Sequence, residues 1–250
     1  MNTKVMAGMS SIPSRRDALA DAVRSIIDQV DQLGVYLGGY DEIPPWLSSV
    51  DNIVIQRSQD DPNGDRGDAG KFWFAEGWDG FYLTVDDDIV YPPTYVEDTI
   101  DALTEVGVRS AVSCHGVRLK NPPVGSYYRD RHVFHWQRRI RHFRRVHIAC
   151  TGWAAFHAGI VDTPIDAFAI PNMADIWFGI LCQRQGIPAF TRPHPPSINA
   201  TNDEAGYLYQ NPKVDLSEAI YAQHSDDDAD QTEAVNSYHR TDGWVLNGFS

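Results

Sequence analysis

An α/β fold with a central, mostly parallel sheet is the class this sequence predicts, and three observations predict it. The first is the opening of the chain. An apolar run at 5–9 is followed by Leu19, Val23, Ile26, Ile27 and Val30 at helical spacing, then by short apolar runs at 33–37 and 52–56, which read as strand, helix, strand and strand. The second is the run 81–85, aromatic, β-branched and apolar, which reads as a buried strand. The third is bulk: 250 residues, 42% hydrophobic and 22% charged, suit one well-filled core better than two.

Taken in order, the turn at 10–16 carries Ser14 as a candidate N-cap ahead of the first helix. Residues 60–72 hold three glycines and a proline and read as a loop that brings Asp68 and Lys71 up to the buried strand. The spacing around Lys71 is wrong for a phosphate-binding P-loop. Pro92 and Pro93 then open a helix carrying Tyr95, Ile100, Leu103 and Val106, which Gly107 closes. A strand follows at 110–114, an apolar strand pair or bend around Gly152 at 148–156, a mostly buried helix at 172–182 and a short strand at 187–191. The last third is polar, with short helices near 216–223 and 231–238.

The chemistry concentrates where the buried strand ends, at Asp86, Asp87 and Asp88. A buried strand that finishes in three carboxylates calls for countercharge. In extended backbone Asp86 and Asp88 point to one side and Asp87 to the other, so two carboxylates can converge on Mg²⁺ or Mn²⁺, hard cations that take oxygen ligands. The alternative is a solvated acidic turn capping the next helix. Asp175, a lone carboxylate in an apolar helix, is either a cap or a working acid–base group. Arg15 and Arg16 stand where a crevice would open at the carboxyl ends of the strands, as phosphate ligands or as ordinary surface arginines.

The formal net charge of −13 disfavours indiscriminate nucleic-acid binding, yet the basic residues are unevenly spread. Arg129, Arg131, Arg138, Arg139, Arg141, Arg144 and Arg145 crowd into one stretch with Phe134, Trp136 and Phe143, a composition suited to gripping phosphates and stacking on bases. Pairing with some of the 34 acidic residues, or a loop covering a ligand, would account for it equally. Cys114, Cys150 and Cys182 are odd in number and widely spaced, which indicates buried thiols and neither a disulfide framework nor a zinc site. No apolar stretch has the length of a bilayer span, and a cytoplasmic protein is expected.

Five elements in order carry a family resemblance: Ser11-Ile12-Pro13-Ser14-Arg15, Gly67-Asp68-Ala69-Gly70-Lys71-Phe72, Thr84-Val85-Asp86-Asp87-Asp88-Ile89, Cys150-Thr151-Gly152 and Asn172-Met173-Ala174-Asp175-Ile176-Trp177. Together they resemble small GT-A-fold glycosyltransferases, Rossmann-like single-domain enzymes that move a sugar from a nucleoside diphosphate. Some phage members are associated with sugar-coating hydroxymethylated pyrimidines in DNA. The resemblance implies one GT-A domain over 1–250, with 1–118 holding the nucleotide sugar and 119–250 the acceptor. It implies that Pro13, Arg15, Asp68, Lys71, Asp86 and Asp87 contact a nucleotide, UDP being the commonest. It further implies that Asp86 and Asp88, with His194, hold Mn²⁺ or Mg²⁺, with His224 and His239 as rivals to His194. Asp175 would be the general base. Arg138, Arg139, Arg141, Thr151, Gly152 and Trp153 would face the acceptor, either DNA or a saccharide or lipid-linked sugar.

That chemistry is self-consistent. Departure of a nucleoside diphosphate leaves charge on phosphate oxygens, which a metal offsets, and a positioned carboxylate activates the acceptor hydroxyl; in-line attack with inversion is what the resemblance implies, since retaining enzymes can share the same fold. Strand-ending aspartates would equally serve a magnesium-dependent phosphohydrolase or nucleotidyltransferase, the reading from a different class.

Overall fold

The computed structural model describes residues 3–197, 207–224 and 226–246. In chain order the regular elements are β1 (Val5–Ser11), α1 (Arg16–Ile26), β2 (Gln32–Leu37), β3 (Ile53–Arg57), β4 (Phe81–Asp86), β5 (Ile89–Val90), α2 (Tyr95–Val106), β6 (Ala111–Ser113), β7 (Gly116–Leu119), β8 (Arg131–Phe134), β9 (Arg144–Val146), β10 (Ile148–Ala149), β11 (Trp153–His157), α3 (Ala174–Arg184), β12 (Ala189–Thr191), β13 (Tyr209–Gln210), α4 (Ile220–His224) and α5 (Ala229–Thr241). Eight strands form one sheet in the order β3-β2-β1-β4-β11-β6-β12-β9, with small satellite sheets β10-β7-β8 and β13-β5.

The α/β class holds, and "mostly parallel" is corrected to mixed. The quartet β3-β2-β1-β4 is parallel throughout, and β6 and β12 are parallel to each other. Between them β11 runs antiparallel to both β4 and β6, and β9 runs antiparallel to β12. The reversal follows from the turn at Thr151 and Gly152, which sets Trp153 beside Val85 at the carboxyl end of β4 and sends β11 back down the sheet.

Alternation sorts the strand side chains between two apolar layers. Ala7, Met9, Leu83 and Val85 face α1 and α2, meeting Leu19, Val23 and Ile26 of the first and Tyr95, Leu103 and Val106 of the second. Met6, Tyr82, Ala154 and Phe156 face the opposite layer, which holds Phe72 and Phe178. Strands covered on both faces read as continuous apolar runs, which is why the run at 81–85 shows no polar alternation. Helix α3 is sandwiched in turn. Phe178 faces the sheet, while Ile176 and Ile180 meet Val235 and Tyr238 of α5.

From β1 the chain adds β2 and β3 on one side and then crosses to place β4 on the other. Such a reversal opens a crevice at the carboxyl ends of the two central strands, where open α/β sheets bind ligands. In the β1–β4 register Ser10 lies opposite Asp86, so the triple aspartate sits at that reversal. The basic stretch is more ordered than a covering loop, since it contains β8 and β9.

Candidate functional site

Beyond the ends of β1 and β4 lies a cavity of about 670 Å³, within the ordinary range for small-molecule sites. It is lined by Arg15, Asp68, Lys71, Asp86, Asp87, Asp88, Thr151, Gly152, Trp153 and Asp175 among others. Ten residues singled out from sequence, spread over more than 150 positions, are thus brought to one place.

The aspartates do not continue β4 as an extended strand. The strand ends at Asp86, and Asp87 and Asp88 form a turn before β5, so the alternating arrangement expected of them is corrected. Asp87 points into the protein and is buried, with Asp86 and Asp88 half-buried. Arg15 Nη1 bridges two of them, 3.0 Å from Asp87 Oδ1 and 3.4 Å from Asp88 Oδ2. Lys71 Nζ pairs with Asp86 Oδ1. Burial pulls the Lys71 ammonium down, but Asp86 and Asp68 outweigh it and hold it above the ordinary lysine value. Burial, then Asp86 and Asp87, push Asp88 up to about 7. Burial likewise raises Asp87 against the opposing pull of Arg15.

Close backbone packing places these groups. A Cβ on Gly8 would lie 1.9 Å from the Lys71 carbonyl oxygen, so only glycine lets the Gly67–Phe72 turn rest on β1 and deliver Lys71 from above. A Cβ on Gly152 would lie 2.1 Å from Asp86 Oδ2, so glycine at that turn leaves room for the carboxylate. Tyr91 ties the same corner together: its hydroxyl accepts from the Asp86 N–H and donates to the Gly152 carbonyl, both at 2.8 Å.

Asp175 stands in the first turn of α3. Its Oδ1 accepts from the Thr151 N–H at 2.6 Å and the Thr151 hydroxyl at 2.8 Å, which fixes the carboxylate's orientation. It caps no backbone group of its own helix; Asp68 does that instead, accepting from the Ala174 N–H at 3.2 Å. The Asp68 N–H donates in return to Asn172 Oδ1 at 3.3 Å, and Asn172 adopts φ +62° to make the exchange. Asp68 therefore locks α3 against the Lys71 turn, and it also lines the cavity in which the resemblance implies a nucleotide contact for it. Burial first, then Asp175 and Asp86, push it up to about 7 against the pull of Lys71.

Three further expectations change. His194 does not line the cavity. It is buried, with Nδ1 2.7 Å from the Pro195 carbonyl and Nε2 3.0 Å from the Cys114 carbonyl, so both ring nitrogens face backbone oxygens away from the cavity, one donating and the other without room for a metal. His224 and His239 do not line the cavity either. Pro13 is exposed beside the mouth, where it starts the short turn that aims Arg15 inward. Arg138, Arg139 and Arg141 are exposed on the connection between β8 and β9, outside the cavity wall, and no salt bridge among the described residues joins them to an acid.

On the second half of the wall, His115 and Tyr127 join Trp153, Trp136 and Arg131, which the sequence already singles out. His115 stacks on Trp153 with ring centroids 5.4 Å apart, and Trp136 stacks on Trp153 at 5.3 Å. Burial, then His135 and Arg131, bring His115 down to about 3, so the ring is neutral. Arg131 and Tyr127 complete this side. The three cysteines are free and buried, and no helix among the described residues is long and apolar enough to cross a membrane.

The donors suit a hard divalent cation, being carboxylate oxygens in a buried cluster with more negative than positive charge. Asp87 Oδ2 is buried with no hydrogen-bond partner. No group of three or more His, Cys, Asp or Glu residues among the described residues forms a ready-made cage. A cation here would take most of its ligands from a bound phosphate and from water, as Mg²⁺ commonly does.

No family model matches the sequence, and no curated protein matches it. Among solved structures, one described as "Crystal Structure of a Mycobacterial Protein" is similar over 45% of this chain and 40% of its own length, at 15% identity and a TM-score of 0.35.

Proposed function

We propose that this chain is a GT-A-type, metal-dependent glycosyltransferase that moves a sugar from a nucleoside diphosphate, UDP being the first candidate, to an acceptor hydroxyl with inversion. One observation carries the reading: Asp86, Asp87 and Asp88 meet Arg15 and Lys71 at the strand reversal, and Asp175 is fixed in the same cavity. The carboxylates are a place for a cation, the two cations a place for phosphate oxygens, and the separate carboxylate a place for a proton.

Asp86 and Asp88 would hold Mn²⁺ or Mg²⁺, which supplies positive charge to the departing diphosphate. Arg15 and Lys71 can turn from carboxylate to phosphate oxygens as that charge develops, stabilising it by charge-assisted hydrogen bonds. Asp175, with Oδ1 pinned by Thr151, accepts the proton of the attacking hydroxyl, a role typically worth about 10²- to 10⁴-fold in rate. Neutral His115 and the Trp153–Trp136 stack offer flat apolar faces against which a sugar or base can lie while water is kept out.

For the acceptor we favour DNA, a hydroxymethylated pyrimidine in particular, over a saccharide or lipid-linked sugar. The exposed arginines at 138, 139, 141 and 144 sit on the stretch that also supplies His135 and Trp136 to the cavity wall. The test is turnover: incubate the chain with nucleotide sugars, Mn²⁺ and either hydroxymethylated or plain DNA, and follow nucleoside diphosphate release and DNA mass. Sugar-dependent mass gain on hydroxymethylated DNA supports the reading. Release of free phosphate from simple esters, with no use of any sugar nucleotide, would favour a phosphohydrolase.

A further inference from the structure

Among the described residues the cavity wall holds three cationic side chains, and they are treated differently. Lys71 and Arg15 at the strand ends are each answered by aspartate. Arg131, on the far wall, makes no salt bridge and donates no side-chain hydrogen bond among the described residues, and its Nε is buried without a partner. It is held by ring faces instead, with Cζ 4.5 Å from the centroids of both Tyr127 and Tyr128.

Those faces are fixed from behind. The Tyr128 N–H donates to Asp228 Oδ2 and the Tyr127 N–H to the Thr232 hydroxyl, both at 2.8 Å, so the start of α5 anchors the tyrosine turn. Arg131 is thus positioned without spending any of its N–H donors. Arg131 is half-buried, with Nε shut off from water and unpaired; such a partly desolvated guanidinium, its donors unspent, is stabilised by an oxyanion of matching geometry through two parallel hydrogen bonds. Its neighbours offer no such anion: His115 and His135 are neutral rings, and the Cys150 thiol lies between the fields of Arg131 and Asp175. Arg131 and Asp175 therefore flank one space, a cation without a partner on one side and the proton acceptor on the other.

We propose that Arg131 binds a phosphate or carboxylate group of the acceptor, so that this enzyme takes an anionic acceptor and Arg131 sets its position relative to Asp175. The anion site stands on Arg131's own surroundings; only the word acceptor rests on the glycosyltransferase reading above.

The experiment is equilibrium binding to the full chain, with thymidine 5′-monophosphate, single-stranded tetrathymidylate and glucuronate as anion probes and UDP with Mn²⁺ as the probe of the strand-end half. The proposal predicts that Arg131→Gln weakens at least one anion probe tenfold or more while leaving UDP–Mn²⁺ within twofold of wild type. Arg131→Lys, which keeps the charge and loses the fork, should fall between. Equal loss for the two phosphate probes assigns the site to a single phosphate, loss for tetrathymidylate alone to a polymer backbone, and loss for glucuronate alone to a carboxylate. The proposal is overturned if no anion binds, if every anion binds Arg131→Gln as tightly as wild type, or if all anion binding is competed away by UDP. Absence of UDP–Mn²⁺ binding with the Arg131-dependent loss intact would remove the transferase reading and leave the anion site standing. If Arg131→Gln does not fold, Arg131→Lys decides, and wild-type affinity there overturns the proposal.

Discussion

Replacing Gly152 with alanine tests the geometry of the strand-end site through a single methyl group. The new Cβ would sit 2.1 Å from Asp86 Oδ2 and 2.8 Å from its Cγ, so the carboxylate must retreat by about 1 Å. That movement separates it from Lys71, whose side chain is only 6% exposed. Breaking a buried ion pair costs about 3–5 kcal/mol when the abandoned charge stays buried. Asp86 keeps 27% exposure and can turn toward water, which brings the expected loss below that range, to about 2–3 kcal/mol. For a chain of this size that is roughly a 5–10 °C fall in melting temperature. A double-mutant cycle with Lys71→Met isolates the cause: once the ammonium is gone, Gly152→Ala should cost less than about 1 kcal/mol. The assay is thermal unfolding of the four proteins, with UDP–Mn²⁺ titration alongside. An unchanged melting temperature, or an equal cost in both backgrounds, would refute the argument that glycine is there to admit the carboxylate.

Other expectations follow from the same geometry. Asp68, with its pKa raised from 3.8 to about 7 in the folded protein, contributes stability that is fully present below the unfolded value and lost as pH rises through 7. Between pH 5.5 and 8.5 wild type should lose about 2 kcal/mol that Asp68→Asn does not, so the mutant's melting temperature relative to wild type should be more favourable at the higher pH. A difference independent of pH would count against a protonated Asp68. Asn172→Ala should destabilise by about 1 kcal/mol more than Asn172→Gly in unfolding titrations, since both lose the bond to Asp68 and only alanine must strain into φ +62°. Asp175→Asn should lower turnover by about 10²- to 10⁴-fold while leaving donor affinity within twofold; full turnover would remove it as the base.

Particular elements show why some of this was legible in the sequence. The strand at 81–86 and the helices at 95–106 and 174–184 were readable because burial on a fixed period leaves a local record. Placing loops at strand ends puts Arg15 at the mouth of the crevice, while the clustering of Asp86, Asp88, Lys71 and Arg15 is what the family resemblance implies, without any pairing being known. The pairings themselves join positions as far apart as Arg15 and Asp87, and no local pattern encodes them. The turn at Asp87 and Asp88 was hidden because three identical residues carry no periodicity. His194 fails as a ligand because its ring is turned onto the carbonyls of its neighbour Pro195 and of Cys114, 80 positions away, and the second of these contacts is set by tertiary packing. Arg131 was visible as one arginine among many. Only the structure separates it, held between two tyrosines inside the cavity, from Arg138, Arg139 and Arg141 outside it.

The central claim is that the aspartate turn and its two cations form a metal-dependent site for a nucleoside diphosphate, with Asp175 serving a different step. Calorimetric titration of UDP, GDP, CDP, TDP and ADP, each with Mn²⁺ or with EDTA, into wild type, Asp88→Asn and Asp175→Asn tests it most directly. One nucleotide should bind wild type and Asp175→Asn alike, weaken at least tenfold with Asp88→Asn, and be lost in EDTA. Binding that survives EDTA and Asp88→Asn, or no binding of any nucleotide to the wild-type chain, would contradict it.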